Sequence, residues 1–364
     1  MLVLLFILGI AVLSAGAELF VRGASRLAAM FGIPSLIISL TVVAFGTSAP
    51  EVAVVVQASF QGQADMAFGN IIGSNISNFM LILGISALLA PLVVSHRLIR
   101  LEVPLLLVIS VVVFYAAFDG QVSRVEGGLL VLGGVVYTVF VIRQSRGENR
   151  LNKKPGSPVA EPGGEKGSAE PKGSWIRNLV MLLAGLAGLV LGANWLVTGA
   201  SGMARILGIS ELVIGLTVVA VGTSLPELAT SIAATLRGER DLAIGNVIGS
   251  NLFNLLLVLG VGAAIVPQGL TVPSSSISFD IPVMIAVTAA CLPLFFSGYI
   301  ISRGEGFVLL IYYAAYTAYL LLFSVEHDML PAYSTLMLRY ILPLTAILLV
   351  FVLARTFQAN RRRA

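Results

Sequence analysis

The chain has little of what soluble enzymes depend on. Of its 364 residues only 11% are charged, two are histidine and one is cysteine, whereas about a quarter of an ordinary soluble domain is charged. Cys291 falls inside an apolar run, makes no internal disulfide and reads as inert packing. His96 and His327 fall in predicted loops, which leaves no imidazole for a buried metal centre or a catalytic dyad. The apolar stretches hold no nucleophile–base pair, so the chain is read as no enzyme and as needing no cofactor. The phrase Gly69-Asn-Ile-Ile-Gly-Ser-Asn75 lacks the Gly-Lys-Ser/Thr ending of a phosphate loop. The formal charge of +4 is read through membrane topology and not as affinity for nucleic acid.

What the chain does have is apolar length. Hydrophobic residues make up 57% of it, and a 1.5 Å rise per residue needs roughly 20 residues to cross a 30 Å hydrocarbon core. Eleven runs meet that need, near 2–19, 35–60, 66–91, 101–118, 127–143, 178–198, 210–236, 242–265, 281–297, 306–324 and 340–354. An all-α polytopic membrane protein of eleven spans is predicted, multi-pass in the cell membrane, with membrane lipid as its surroundings. Ala15-Gly16-Ala17 has the small-x-small look of a signal cleavage site. No Lys or Arg precedes the run, however, and the next segment aligns with the second half of the chain, so the run reads as a first span. With the N-terminus outside and the C-terminus inside, 19 of the 22 Lys and Arg residues share one side, leaving Arg124, Arg205 and Arg339 on the other. That asymmetry is the positive-inside bias of a cytoplasmic face. Residues 144–177 concentrate Pro, Gly, Ser, Lys and Glu and read as a disordered cytoplasmic linker.

The two halves repeat. Shifting the sequence by 176 residues lays 18–84 over 194–260 without a gap, with 34 identities in 67 positions. Each half holds five runs, an odd number, so the second copy enters the bilayer in the opposite direction; inverted repeats of this kind hold substrate near the midplane, where interrupted helices meet. The organisation is a first five-helix repeat over 1–143, the linker over 144–177, an inverted repeat over 178–324, and an extra helix with a basic tail over 325–364. Glu18 has Asn194 as its counterpart and reads as an interfacial residue.

The most telling phrases lie where they cost most. Gly46-Thr-Ser-Ala-Pro-Glu51 returns as Gly222-Thr-Ser-Leu-Pro-Glu227, each placing a proline and an acid in the middle of a span. Proline removes an N–H and frees backbone oxygens, expected at Ala44 and Thr47 and at Ala220 and Thr223. Freed carbonyls in hydrocarbon cost several kcal/mol each unless protein or a polar cavity receives them, and an acid at mid-span costs about 2.5–3.5 kcal/mol. Two such acids brought together repel unless a cation lies between them. Glu51 and Glu227, with Ser48, Ser224, Ser74, Ser250, Asn78 and Asn254, are an oxygen-rich set suited to a hard cation such as Ca²⁺. Asn70, Asn75, Asn246 and Asn251 are expected to hydrogen-bond between helices, and Gly69, Gly73, Gly245 and Gly249 to allow close helix packing.

These paired phrases, with Gly69-Asn-Ile-Ile-Gly-Ser-Asn75 and Gly245-Asn-Val-Ile-Gly-Ser-Asn251, resemble the cation/calcium exchanger superfamily, most closely its prokaryotic sodium/calcium exchangers. The resemblance spans both halves and leaves out the linker and the last helix. It implies exchange of Ca²⁺ against Na⁺ by alternating access, a single subunit sufficing for transport. Glu51 and Glu227 would bind Ca²⁺ with the Thr47 and Thr223 carbonyls. Ala44, Thr47, Ser48 and Ser74 would line one Na⁺ site, and Ala220, Thr223, Ser224 and Ser250 its mate. The first and sixth helices would slide outside the packed signature helices. Some relatives carry an aspartate where Asn78 or Asn254 stands, so here the centre has two acids only. The Thr-Ser pairs favour Na⁺ over a proton-coupled member; a K⁺- or H⁺-coupled exchanger and a cation channel with an acidic selectivity ring are the rival readings.

Overall fold

The computed structural model describes residues 1–152, 174–208, 220–296, 298–348 and 350. Among them eight helices are long and apolar enough to span a membrane, and the bent pair Ser35–Thr47 and Ala49–Phe60 makes a ninth when taken as one span. In chain order we label α1 (Leu2–Phe31), α2 (Ser35–Thr47), α3 (Ala49–Phe60), α4 (Met66–Leu89), α5 (Leu98–Ala117), α6 (Arg124–Asn152), α7 (Trp175–Ile206), α8 (Ala220–Gly222), α9 (Leu225–Leu236), α10 (Arg240–Ile265), α11 (Ser276–Phe296) and α12 (Arg303–Ser324). A last helix, α13, covers 330–348. The beginning of the seventh expected span (210–219), the end of the eleventh (351–354), most of the linker (153–173) and the basic tail lie outside the described residues.

Several helices outrun their expected limits. The first continues past residue 19 to Phe31 because nothing interrupts its backbone ladder until Gly32, whose φ of 62° is a left-handed conformation that glycine adopts freely. The sixth expected span, 178–198, extends over Trp175–Ile206. The fifth runs to Asn152, nine residues beyond the boundary expected at 143, since 144–152 contains no proline and one glycine. The chain is also not purely helical. Two short antiparallel strand pairs cross between the halves: β1 (Leu92–Val93) with β4 (Ile300–Ile301), and β2 (Gln121–Val122) with β3 (Leu270–Thr271). Loop backbone outside the helices needs partners, and here the loop after each signature helix finds them on the loop between the last two helices of the other repeat.

Burial divides the helices into two groups. The signature helices α4 and α10 are each 78% buried over their apolar windows, whereas α1 is 22% and α7 28% buried. The main core gathers Phe68, Ile71, Ile72, Ile76, Ile244, Ile248 and Leu252 from α4 and α10. Its reason is in the sequence: past the Arg240-Asp241 start of α10, these two helices are apolar on every side except at their Asn and Ser positions, the pattern of a helix surrounded by protein.

α1 and α7 pack antiparallel to each other on the outside. A Cβ added at Gly9 would lie 2.5 Å from the Leu196 backbone nitrogen, and one at Gly16 would lie 2.7 Å from that of Leu189. Gly23, Gly185, Gly192 and Gly199 meet backbone in the same way. Glycines seven apart on both helices therefore form one seam, and only their lack of side chains lets the backbones approach so closely. Glu18 bonds to Arg22 at 2.6 Å and to Arg237 at 2.5 Å, tying α1 to the end of α9.

Two further acids, Glu102 and Asp280, occupy related places in the repeats. Glu102 is fully buried, accepts from Tyr137 Oη at 2.8 Å and pairs with Arg97 at 3.0 Å. Asp280 accepts from Tyr316 Oη and Ser276 Oγ, each at 3.0 Å. Both carboxylates are satisfied by neighbours in their own repeat.

Candidate cation site

Each signature phrase breaks its helix as the proline requires. α2 and α3 meet at 41° across Ser48, with Pro50 in the first turn of α3 and Glu51 in the same turn. Pro226 and Glu227 open α9 in the same way. The Thr47 and Thr223 carbonyls receive no backbone hydrogen bond across the breaks among the described residues, while Ser48 and Ser224 accept from Val52 and Leu228. Ala44 differs from expectation: its carbonyl accepts from the Ser48 backbone N–H at 3.0 Å. The donor that Pro50 removes belongs one turn back, at Gly46, so the ladder to Ala44 survives. Ala220 opens the short turn α8, and the Ser224 N–H reaches Val221 instead, at 3.1 Å.

The two breaks converge. Glu51 is 0% and Glu227 1% exposed. The Ser48 hydroxyl, from the first phrase, donates to Glu227 Oε1 of the second at 3.2 Å. The Glu227 carboxylate and the Ser224 hydroxyl both lie beside the Glu51 carboxyl. Both Glu51 oxygens and Glu227 Oε2 are buried without a partner. Orphaned carboxylate oxygens at such depth cost several kcal/mol each, and no lysine, arginine or histidine among the described residues pairs with them. A hard cation coordinated by these oxygens removes that cost, so the residues present fit such an ion as substrate.

The signature helices supply the remaining oxygens crosswise. Thr47 Oγ1 lies 3.4 Å from Ser250 Oγ on α10, and Ser224 Oγ lies 3.3 Å from Ser74 Oγ on α4. The resemblance grouped Ser74 with Thr47 and Ser250 with Thr223; these hydrogen bonds exchange the two serines. The cause is packing between the repeats: built Cβ atoms at Gly245 and Gly249 would meet Ser39 and Ala44, so α10 of the second repeat lies directly on α2 of the first. Asn78 Nδ2 donates to Asn251 Oδ1 at 2.8 Å, which links α4 to α10 through an amide pair, and Asn78 Oδ1 is unpartnered. Both amide atoms of Asn254 are buried and unpartnered. A helical turn widened by one residue starts at Asn78 and another at Asn254, the kind of local expansion that often marks functional positions.

Of the four asparagines expected between helices, Asn70, Asn246 and Asn251 bond across helices, whereas Asn75 Nδ2 donates to Ile71 of its own helix at 2.8 Å. Ser231 does not stand out in the sequence. It holds Asn246 at 3.1 Å, and the only signal for it is a hydroxyl one turn beyond Glu227 where the first repeat has Val55.

Comparison with known proteins agrees with this architecture. The family model described as "Sodium/calcium exchanger protein" matches residues 1–143 and 177–322. The "Putative antiporter CaxA" of Alkalimonas amylolytica is 40% identical over 316 residues, 85% of this chain and 95% of that protein. The "Sodium/calcium exchanger MaX1" of Methanosarcina acetivorans is 34% identical over 339 residues, 86% and 96% of the two chains. Among solved structures, the sodium-calcium exchanger NCX_Mj soaked with Na⁺ and Sr²⁺ superposes with a TM-score of 0.73 at 32% identity, covering 87% of this chain and 97% of its own. The mid-membrane acid pair, the inverted phrases and these relatives lead to one conclusion: the chain is a polytopic membrane protein that belongs to the sodium/calcium exchanger family of cation/Ca²⁺ antiporters.

Proposed function

We propose that this protein is a sodium-driven calcium antiporter of the cell membrane, working by alternating access. The observation that carries the reading is the junction of the two inverted phrases: Ser48 reaches Glu227, and Glu51 is buried beside them with both oxygens free. Ca²⁺ takes about 6–8 oxygens, and Glu51, Glu227 and the open Thr47 and Thr223 carbonyls form the core of such a set. Na⁺ would occupy flanking positions, one built on Ala44, Thr47, Ser48 and Ser250, the other on Ala220, Thr223, Ser224 and Ser74, with Asn78 and Asn254 closing the centre. The glutamates serve both ions, so occupation by one excludes the other. The glycine seam makes α1 and α7 a unit of smooth backbone, suited to sliding along the buried signature helices. Topologically the reading is eleven spans with the N-terminus outside and the C-terminus inside, two five-span repeats being joined by a cytoplasmic linker.

The test is ⁴⁵Ca²⁺ uptake into proteoliposomes with Na⁺, K⁺ and pH gradients set independently. Uptake that requires an outward Na⁺ gradient is expected. Uptake indifferent to Na⁺ and driven by a pH jump or by K⁺ replaces this reading with another coupled exchanger, and large unitary currents without a counter-ion replace it with a channel.

A further inference from the structure

The site is nearly two-fold symmetric in its oxygens but not in what holds them. Asn246 is fully buried and every polar group of its side chain is engaged: Oδ1 faces Thr47 Oγ1 at 3.2 Å, and Nδ2 faces the Glu227 carbonyl at 3.3 Å and Ser231 Oγ at 3.1 Å. The Glu227 carbonyl can only accept, so it sets the amide's orientation, and Ser231 Oγ adds a second bond to the same NH₂, holding the Asn246 oxygen as an acceptor toward Thr47. The Thr47 proton has Asn246 Oδ1 at 3.2 Å beside the Ala44 carbonyl at 3.3 Å and Ser250 Oγ at 3.4 Å, and when it goes to Asn246 the Ala44 carbonyl and the Thr47 lone pairs are left for a cation. In the mate, Asn70 Oδ1 accepts from Thr223 at 3.1 Å, but Asn70 Nδ2 is buried with no partner. The position aligned with Ser231 is Val55, which offers no acceptor. Reversing the Asn70 amide breaks no bond of its NH₂ group, so the oxygen that faces Thr223 is not held in place as the Asn246 oxygen is held toward Thr47.

We propose that Ser231, through Asn246, is a positioning residue that preorganises the Thr47 half of the site for Na⁺ and so makes the two Na⁺ positions unequal in affinity. This rests on the sodium-coupled reading of the site. Beside its shared glutamate a Na⁺ position draws on neutral oxygens and depends on how its hydroxyls are turned, whereas Ca²⁺ is held chiefly by two carboxylates, so the effect falls mainly on Na⁺.

The experiment uses the full-length protein in proteoliposomes and compares wild type, Ser231→Ala and Ser231→Thr. Half-maximal Na⁺ is read from Na⁺-driven ⁴⁵Ca²⁺ exchange, and half-maximal Ca²⁺ from ⁴⁵Ca²⁺/Ca²⁺ exchange without Na⁺. Loss of one buried hydrogen bond is expected to raise half-maximal Na⁺ about 3- to 10-fold in Ser231→Ala, with half-maximal Ca²⁺ moving less than about 2-fold. Ser231→Thr, which keeps the hydroxyl, restores the Na⁺ value. An unchanged Na⁺ dependence in Ser231→Ala overturns the proposal, as do parallel losses in both exchange modes. A wild type whose exchange ignores Na⁺ is a different result and refutes the parent reading.

Discussion

Replacing Glu51 by glutamine is the sharpest perturbation of the site, because the change is nearly isosteric and removes one charge. In the structure both Glu51 oxygens are buried and unpartnered, and the acid whose charge reaches it is Glu227. Two opposite effects result. Without ions, the amide removes a repulsive, desolvated charge, so the apo protein should melt no lower than wild type in chelator and detergent. With Ca²⁺ present, one of only two carboxylates is gone. Breaking a buried charge pair by removing one member costs about 3–5 kcal/mol, and each 1.4 kcal/mol is about a factor of ten in affinity, which together predict Ca²⁺ binding weaker by roughly two to four decades. The assay is thermal melting with and without Ca²⁺, alongside ⁴⁵Ca²⁺ uptake. Wild type at about 100 times its Kd gains about 2.7 kcal/mol, and the variant should gain at most about 0.4 kcal/mol at the same concentration and show no uptake. Half-maximal Ca²⁺ for Glu51→Gln within a factor of ten of wild type would mean that Glu51 is not a principal ligand.

Other outcomes rest on the same geometry. Gly192→Leu places a side chain where Leu13 backbone lies, so it should part α1 from α7, lower the melting temperature and abolish exchange; normal flux in that variant would show the seam to be dispensable. Arg237→Ala breaks a half-exposed pair with Glu18, and its effect on unfolding stability should stay within about 1 kcal/mol, read by denaturant titration in detergent. Stopping the chain after residue 325 removes α13, which docks through Tyr312 to Thr345 and through Tyr333 Oη to the Ala315 carbonyl at 2.8 Å. Exchange should persist, since both phrases and their signature helices remain, and loss of flux in a folded truncate would assign α13 a role in transport.

Much of this architecture is legible in the sequence, and for identifiable reasons. Apolar runs report spans because hydrocarbon excludes charge, and the 176-residue repeat with an odd number of runs per copy points to inversion without coordinates. Glu51 and Glu227 stand out by their cost at mid-span. Helix ends are less legible: α1 and α7 overrun the bilayer estimate because a helix continues until a breaker such as Gly32, not until hydropathy falls. The exchange of Ser74 and Ser250 is hidden because spacing along one strand of sequence says nothing about which repeat packs against which. Glu102 and Asp280 draw no notice at the edges of their runs, where local tyrosines satisfy them. Ser231 is invisible since its meaning depends on Asn246, 15 residues on, and on the absence of a hydroxyl at Val55.

The whole mechanism depends on Glu51 and Glu227 enclosing one shared, dehydrated divalent ion. An anomalous-difference map from crystals of the full chain grown with Sr²⁺ as a Ca²⁺ surrogate locates that ion. One strong peak is expected between the two carboxylates, displaced when Na⁺ is raised. A map with density only at the loops or at Asp280, and none between Glu51 and Glu227, would contradict it.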